Sequence, residues 1–439
     1  MKNVLVLGAG LVSQPLIRFL MGQSDLNVCV AGLQLDNAEP LMGPRGKLVR
    51  LDIRNRRKLA ALAAEADLVV SLLPSAFHAY VAELCLQYCA HLVTTSYVSE
   101  AMRGFDDEAR RKGLLFLNEI GLDPGIDHLS AMRIIDAVHA EGGKIVSFTS
   151  CCGGLPAPEA NDNPFGYKFS WNPRGVLLAG RQPARYLKDG SVIRIDGGRL
   201  FQHYWQENVG GLGALEVYPN RDSLIYQGLY GLDEANTLLR GTLRYPGWCD
   251  TLDKLAQLGL LDDRSRPELA GKSWNEIIAH LIRHVGVVTA AELADFLSIA
   301  ADDPIMGRLQ WLGLLSWEKP QAEPLTLLDA LVHQMIRRMA YRPGERDLIV
   351  LQHRFEVVYT DRKEQVISLL TAFGQPHGDT AMALTVGLPA AMAVKLMLAG
   401  KIEARGVQIP VSAEFYGQIL PLLAERGIVF EESRRRPDA

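Results

Sequence analysis

The first third of the chain alternates between short apolar runs and longer amphipathic stretches. Asn3-Val-Leu-Val-Leu7 is a strand-length apolar run, Gly8-Ala-Gly10 follows it, and a helical pattern then reaches Met21. Further strand patterns cover 27–31, 47–51, 67–73, 92–95 and 114–118, with helical periodicity over 56–66, 77–88 and 99–112 between them. Strands alternating with helices predict a parallel, doubly wound sheet. After Tyr245 the pattern changes to helices over 251–260, 274–285, 289–297 and 324–338, and a strand-like run over 347–360 follows. Thr289 and Glu292 have capping-box spacing before an apolar run.

A strand, a glycine turn and a helix in that order are the opening of a dinucleotide-binding unit. Gly8 permits the tight turn, Gly10 lets the backbone approach a pyrophosphate, and Leu11, Val12 and Ser13 lead into the helix. Ser13 stands where the usual fingerprint has its third glycine, and serine is small enough for helix and strand to pack closely. Ligands bind such sheets at the carboxyl ends of the strands. Asp52 and the run Ser71-Leu72-Leu73-Pro74 are therefore expected beside the cofactor. An acid after the second strand selects NAD and an arginine selects NADP, but Ala31-Gly-Leu-Gln34 offers neither. The cofactor is thus expected to be NADP or NAD.

The whole-chain properties narrow the class. At 439 residues the chain exceeds one core and divides into domains. A net charge of −4 offers no basic stripe for nucleic acid. The best apolar stretch, 385–400, is interrupted by Pro389 and Lys395, so no membrane span is expected. The N-terminus runs straight into glycines, unlike a signal peptide. Six cysteines without repeated pair spacing read as reduced thiols of a cytoplasmic protein. Arg434-Arg-Arg436, the one run of like charge, reads as a solvated tail.

Reactive groups crowd onto backbone specialists between Gly121 and Arg174. Gly121-Leu-Asp-Pro-Gly-Ile-Asp-His128, Cys151-Cys-Gly-Gly-Leu-Pro-Ala-Pro-Glu159 and Tyr167-Lys-Phe-Ser-Trp-Asn-Pro-Arg174 are fixed turns carrying polar side chains, as a substrate site needs. These motifs, together with Thr95-Ser-Tyr-Val-Ser99, Arg240-Gly-Thr-Leu-Arg244 and Thr385-Val-Gly-Leu-Pro389, resemble the saccharopine reductase family, the glutamate-forming saccharopine dehydrogenases. The resemblance runs over nearly the whole length. One departure is Leu33, which stands about where NADP-dependent members carry an arginine.

The resemblance implies an NAD(P)-dependent oxidoreductase that interconverts saccharopine with glutamate and 2-aminoadipate 6-semialdehyde by hydride transfer and imine hydrolysis. It also implies a Rossmann domain (1–122 with 384–439), a mixed α/β substrate-binding and dimerisation domain (123–244 with 345–383) and an inserted helical domain (245–344). Tyr97, Asp123 and Cys152 stand where the family places ionisable groups beside the substrate, with Ser96 and Gly125 adjoining them. Saccharopine carries three carboxylates, which call for guanidinium forks. Arg240 and Arg244, with the hydroxyl of Thr242 between them, fit a strand-borne clamp, and Arg174 is a second candidate. Each residue has a plainer alternative. The arginines suit surface ion pairs, Asp123 a turn, Tyr97 a packed phenol and Cys152 a buried thiol.

Asp127 is expected to satisfy N-terminal amides of a helix and His128 to cap or pack there. Cys85 and Cys89 read as helix core, and His203 and His353 as structural. No metal is expected. The expected partner is a small amino-acid substrate, and the expected assembly is a homodimer. The other readings are a carboxynorspermidine or carboxyspermidine dehydrogenase and a nucleotide-sensing protein without turnover.

Overall fold

A computed structural model describes residues 1–321 and 326–436. The chain divides into two compact units, Met1–Lys144 with Leu370–Glu431, and Ile145–Leu369 with Glu432–Ala439.

The first unit contains the expected doubly wound sheet. Its elements are β1 (Lys2–Leu7), α1 (Gln14–Met21), β2 (Leu26–Gly32), β3 (Gly46–Arg50), α2 (Arg56–Ala64), β4 (Leu68–Ser71), α3 (His78–Tyr88), β5 (His91–Thr94) and β6 (Leu115–Leu117). All pairings are parallel in the order β6-β5-β4-β1-β2-β3, and Gly406–Gln408 extends the sheet beside β6. Val4, Leu5 and Val6 in β1 and Val69 and Val70 in β4 are buried without alternation, as strands covered on both faces must be. Strand order reverses between β1 and β4, which opens a crevice at their carboxyl ends.

The single helix expected over 99–112 is two, Glu100–Arg103 and Asp106–Arg111. Gly104 weakens the helix between them, and Phe105 turns inward against the apolar core. Cys85 is core as expected, but Cys89 is exposed, because α3 ends at Tyr88 and Cys89 caps it in the left-handed region with φ 56°. Helix Ala381–Leu398 is long and apolar enough to cross a membrane, yet most of it is buried inside the fold. A helix apolar all round is a core helix in that setting. A methyl group at its Gly387 would stand 3.0 Å from the Val12 carbonyl oxygen and 3.2 Å from the Leu16 nitrogen. The helix therefore backs directly onto the start of α1.

A mixed sheet, most of it in the second unit, runs in the order Trp205–Val209, Gly213–Pro219, Thr237–Arg244, Lys144–Pro156, Asp347–Val358, Lys363–Phe373 and Phe430–Arg435. Thr237–Arg244 runs parallel to Lys144–Pro156 and antiparallel to Gly213–Pro219. Helices Trp248–Gln257, Trp274–Ile282, Ala290–Leu297, Pro304–Leu312 and Leu327–Arg338 share one core with Phe165, Tyr167 and Tyr218. The Thr289–Glu292 capping box forms. Pro304–Leu312 was not expected, although Asp303 caps it, proline opens it and Gly313 ends it. The expected start of the last helix at Pro324 lies outside the described residues. Arg434 and Arg435 belong to the edge strand Phe430–Arg435 rather than to a tail. Charged side chains are a common way to blunt such an edge.

Candidate active site

The glycine loop after β1 is shaped for an anion. Gly8 has φ 100°, and a side chain there would meet the Leu72 carbonyl oxygen at 3.2 Å. At Gly10 the space a methyl would fill is open, with nothing within 4 Å. Ser13 is wholly buried and its Oγ donates to the Gly10 carbonyl at 2.7 Å, so serine closes the loop in place of a third glycine. No side chain caps the first amides of α1, which leaves them and the helix dipole for a phosphate. Leu11 is exposed at the loop tip and Val12 is half-buried.

Asn37, on the segment after β2, donates its side-chain amide to the Ala9 carbonyl at 3.2 Å and ties that segment to the loop. Leu33 is exposed at the end of β2. Asp52, exposed after β3, accepts the Arg54 amide at 2.9 Å. Ser71 is buried at the end of β4, and the chain leaves it through half-buried Leu72 and Leu73 to exposed Pro74. These residues fit a dinucleotide.

Two further loops of the same unit are tied together beside β5. Glu119 donates its backbone amide to the Ser96 carbonyl at 3.1 Å, and its Oε1 accepts the Val98 amide at 2.9 Å. Glu119 is buried in the left-handed region, φ 55°, and its Oε2 lies 2.9 Å from His128 Nε2. Asp127 accepts the amide of Gly125, the residue that caps the helix Ile126–Ala140, at 2.5 Å. Gly125 has φ 147°, and any side chain would lie 2.1 Å from the Gly121 carbonyl oxygen. This rigid turn presents Asp123 to the neighbouring loop, where the Tyr97 hydroxyl donates to Asp123 Oδ1 at 3.0 Å. Both residues are half-buried.

His78, which the sequence pattern did not single out, joins the strand ends. Its Nδ1 is 2.9 Å from Ser71 Oγ, and its Nε2 is 2.9 Å from Ser96 Oγ and 3.2 Å from Thr94 Oγ1. Burial pulls its pKa down to about 4, so the ring is neutral near pH 7.

In the second unit Arg240, Thr242 and Arg244 alternate along one face of Thr237–Arg244. Thr242 lies opposite Cys152 on one neighbouring strand and Tyr218 on the other. A side chain at Gly153 would meet Leu243 at 2.8 Å, so the glycine lets these strands close. Arg240 is buried, with its guanidinium 4.3 Å over the Tyr226 ring. Arg244 is 5% exposed, donates to its neighbour's carbonyl at 2.7 Å, and lies over the rings of Tyr167 (5.0 Å) and Trp248 (5.6 Å). Among the described residues it has no ion pair with a carboxylate, and its Nε has no hydrogen-bond partner. Burial pushes the Tyr218 phenol up to about 12 and raises that of Tyr167, with Arg244 pulling the other way. The phenols around the guanidinium are therefore neutral.

A buried, uncompensated cation costs several kcal/mol on general grounds, roughly, and the arrangement is suited to receive a carboxylate. Arg174 differs: it is half-exposed and pairs with Asp329, with Asp263 at 3.9 Å. Cys152 is buried. His203 is exposed, with Nδ1 2.9 Å from the Arg199 carbonyl, and His353 is buried beside Phe148. Among the described residues no group of three His, Cys, Asp or Glu side chains gathers as a metal site.

Comparison with known proteins accounts for both halves of the chain. Residues 4–117 match the saccharopine dehydrogenase NADP binding domain, and residues 121–428 match the saccharopine dehydrogenase C-terminal domain. The chain belongs to the saccharopine dehydrogenase family. A saccharopine dehydrogenase [NADP(+), L-glutamate-forming] of Schizosaccharomyces pombe is 38% identical over 98% of this chain and 99% of its own length. Its Saccharomyces cerevisiae counterpart is 40% identical over 98% and 99%. The apo structure of the histidine-tagged S. cerevisiae saccharopine dehydrogenase (L-Glu forming) superimposes with a TM-score of 0.90 at 39% identity, over 99% of this chain and all of that one.

Proposed function

We propose that this saccharopine dehydrogenase family member is the glutamate-forming, NADP(H)-dependent enzyme, interconverting saccharopine with glutamate and 2-aminoadipate 6-semialdehyde. The observation that carries the reading is Arg244, a buried guanidinium among neutral aromatics with no carboxylate of its own among the described residues. A substrate with three carboxylates supplies the missing partner. Full-length similarity to two enzymes named for this reaction supports the same substrate.

Gly8, Gly10, Leu11, Val12 and Ser13 would hold the dinucleotide pyrophosphate against α1, with Asp52 and Ser71 to Pro74 along the strand ends. When bound, NADP+ supplies the acceptor for a hydride from the methylene carbon attached to the secondary amine. That amine loses its proton as the C=N bond forms, and water then adds to the carbon. Collapse breaks the C–N bond, giving the aldehyde and a glutamate that keeps the nitrogen.

Asp123, held by the Tyr97 hydroxyl, takes the proton from the nitrogen and from the attacking water and returns one to the departing amine. Ser96 and Gly125 flank it. Arg244, with Arg240 and Thr242, binds carboxylate, and Cys152 packs beside Thr242. Arg174, engaged with Asp329, keeps a structural role in this proposal. A two-fold homodimer in a reducing, cytosolic compartment completes it, the compartment supported by six cysteines without repeated pair spacing.

The test is direct: saccharopine with NADP+ or NAD+ should produce reduced nicotinamide absorbance and stoichiometric glutamate. No turnover with either nucleotide from neutral to alkaline pH would refute the assignment.

A further inference from the structure

We propose that His78 is a positioning residue: its neutral imidazole ties the end of β4 to the loop carrying Ser96 and Tyr97 and sets which way the Ser96 hydroxyl points. The inference rests on the reading of the reaction given above.

Two separate segments, the end of β4 and the run from Thr94 to Ser96, meet on this one ring. Ser71 closes β4, Thr94 closes β5, Ser96 begins the next loop, and His78 opens α3. The contacts are Nδ1 to Ser71 Oγ at 2.9 Å, Nε2 to Ser96 Oγ at 2.9 Å and Nε2 to Thr94 Oγ1 at 3.2 Å. Only 4% of the histidine is exposed, so these partners replace water. A neutral ring has one donor and one acceptor nitrogen. If Nε2 carries the hydrogen, Ser96 Oγ accepts from the ring and its own O–H is left to donate outward. The Ser96 amide reaches Thr94 Oγ1 at 3.3 Å, which fixes the backbone of the same turn. Ser96 precedes Tyr97, whose hydroxyl engages Asp123, so the ring links the nucleotide crevice to the proton-handling pair. An imidazolium would force both nitrogens to donate and would desolvate a charge; burial opposes that state.

Two full-length variants separate the two sides of the ring. His78→Asn keeps an amide near the Nδ1 position and loses the Ser96 side, whereas His78→Gln reaches the Nε2 level and loses the Ser71 side. His78→Asn should lower kcat by about tenfold or more, with the saccharopine KM changed by less than about threefold. The NADPH dissociation constant, read by nucleotide fluorescence, should stay within about twofold. His78→Gln should recover kcat to within about threefold of the unaltered protein. An unchanged kcat in His78→Asn, or equal loss in both variants, overturns the proposal.

If the unaltered protein does not turn over saccharopine, the reading of the reaction has failed, and the imidazole 15N spectrum decides this inference separately. A single Nε2–H tautomer at neutral pH that is lost in Ser96→Ala sustains it. A spectrum indifferent to Ser96→Ala overturns it.

Discussion

Arg244→Met removes a guanidinium but keeps an unbranched apolar stem of similar reach. In the folded protein Arg244 donates to the Leu243 carbonyl and stacks on Tyr167 and Trp248, and no described carboxylate depends on it. Removing the two cation–π stacks costs about 0.5–2 kcal/mol each, and relieving the desolvation of a buried charge returns several, roughly. The two effects oppose each other, so stability should change by no more than about 1 kcal/mol, or ~2–4 °C in Tm for a unit of this size. Substrate recognition has no such offset. A charge-assisted hydrogen bond to carboxylate is worth about 1.5–3 kcal/mol, and abolishing a two-pronged carboxylate clamp should cost about 3 kcal/mol or more. That is ~100-fold in kcat/KM for saccharopine.

The assays are thermal unfolding and steady-state kinetics on the same preparations. NADPH affinity, measured by fluorescence, should not move. A large fall in Tm with kinetics within about threefold of the unaltered protein would show instead that Arg244 is a structural cation and binds no carboxylate.

Three other outcomes follow from the geometry. Asp123→Asn should lower kcat by about 100-fold while leaving NADPH binding unchanged, read by the same kinetics and fluorescence. Gly387→Ala puts a methyl 3.0 Å from the Val12 carbonyl and 3.2 Å from the Leu16 amide. It should cost about 1–3 kcal/mol in chemical denaturation and raise the NADPH dissociation constant, since it displaces the start of α1. Burial holds the His78 pKa down to about 4 in the folded protein against 6.5 ordinarily, so the unfolded chain binds more protons between those values. Its contribution is intact above about pH 6.5 and is lost as pH falls toward 4. The loss is about 3 kcal/mol, and denaturation of His78→Asn against pH should lack that part of the slope.

The features legible in the sequence were those that one local motif decides. Gly8 and Gly10 stood at the end of an apolar run, and the positive φ at Gly8 and the open space at Gly10 are what those positions needed. The i, i+2, i+4 spacing of Arg240, Thr242 and Arg244 already put them on one strand face. Arg174 and Arg244 looked alike in sequence, and only packing separates them: one faces Asp329 at the surface and the other is enclosed by Tyr167 and Trp248.

His78 was invisible because its three partners come from segments that only the sheet order brings together. Glu119 was missed for a similar reason, since its role depends on a left-handed backbone and on His128, nine positions away. The helix Pro304–Leu312 was signalled by Asp303, Pro304 and Gly313 but interrupted in its apolar period by Gly307 and Arg308.

Which C–N bond breaks identifies the reaction. Saccharopine deuterated on the methylene carbon next to its secondary amine should transfer deuterium to NADP+ and release unlabelled glutamate with the semialdehyde. Release of lysine and 2-oxoglutarate, with the label retained in lysine, would contradict it.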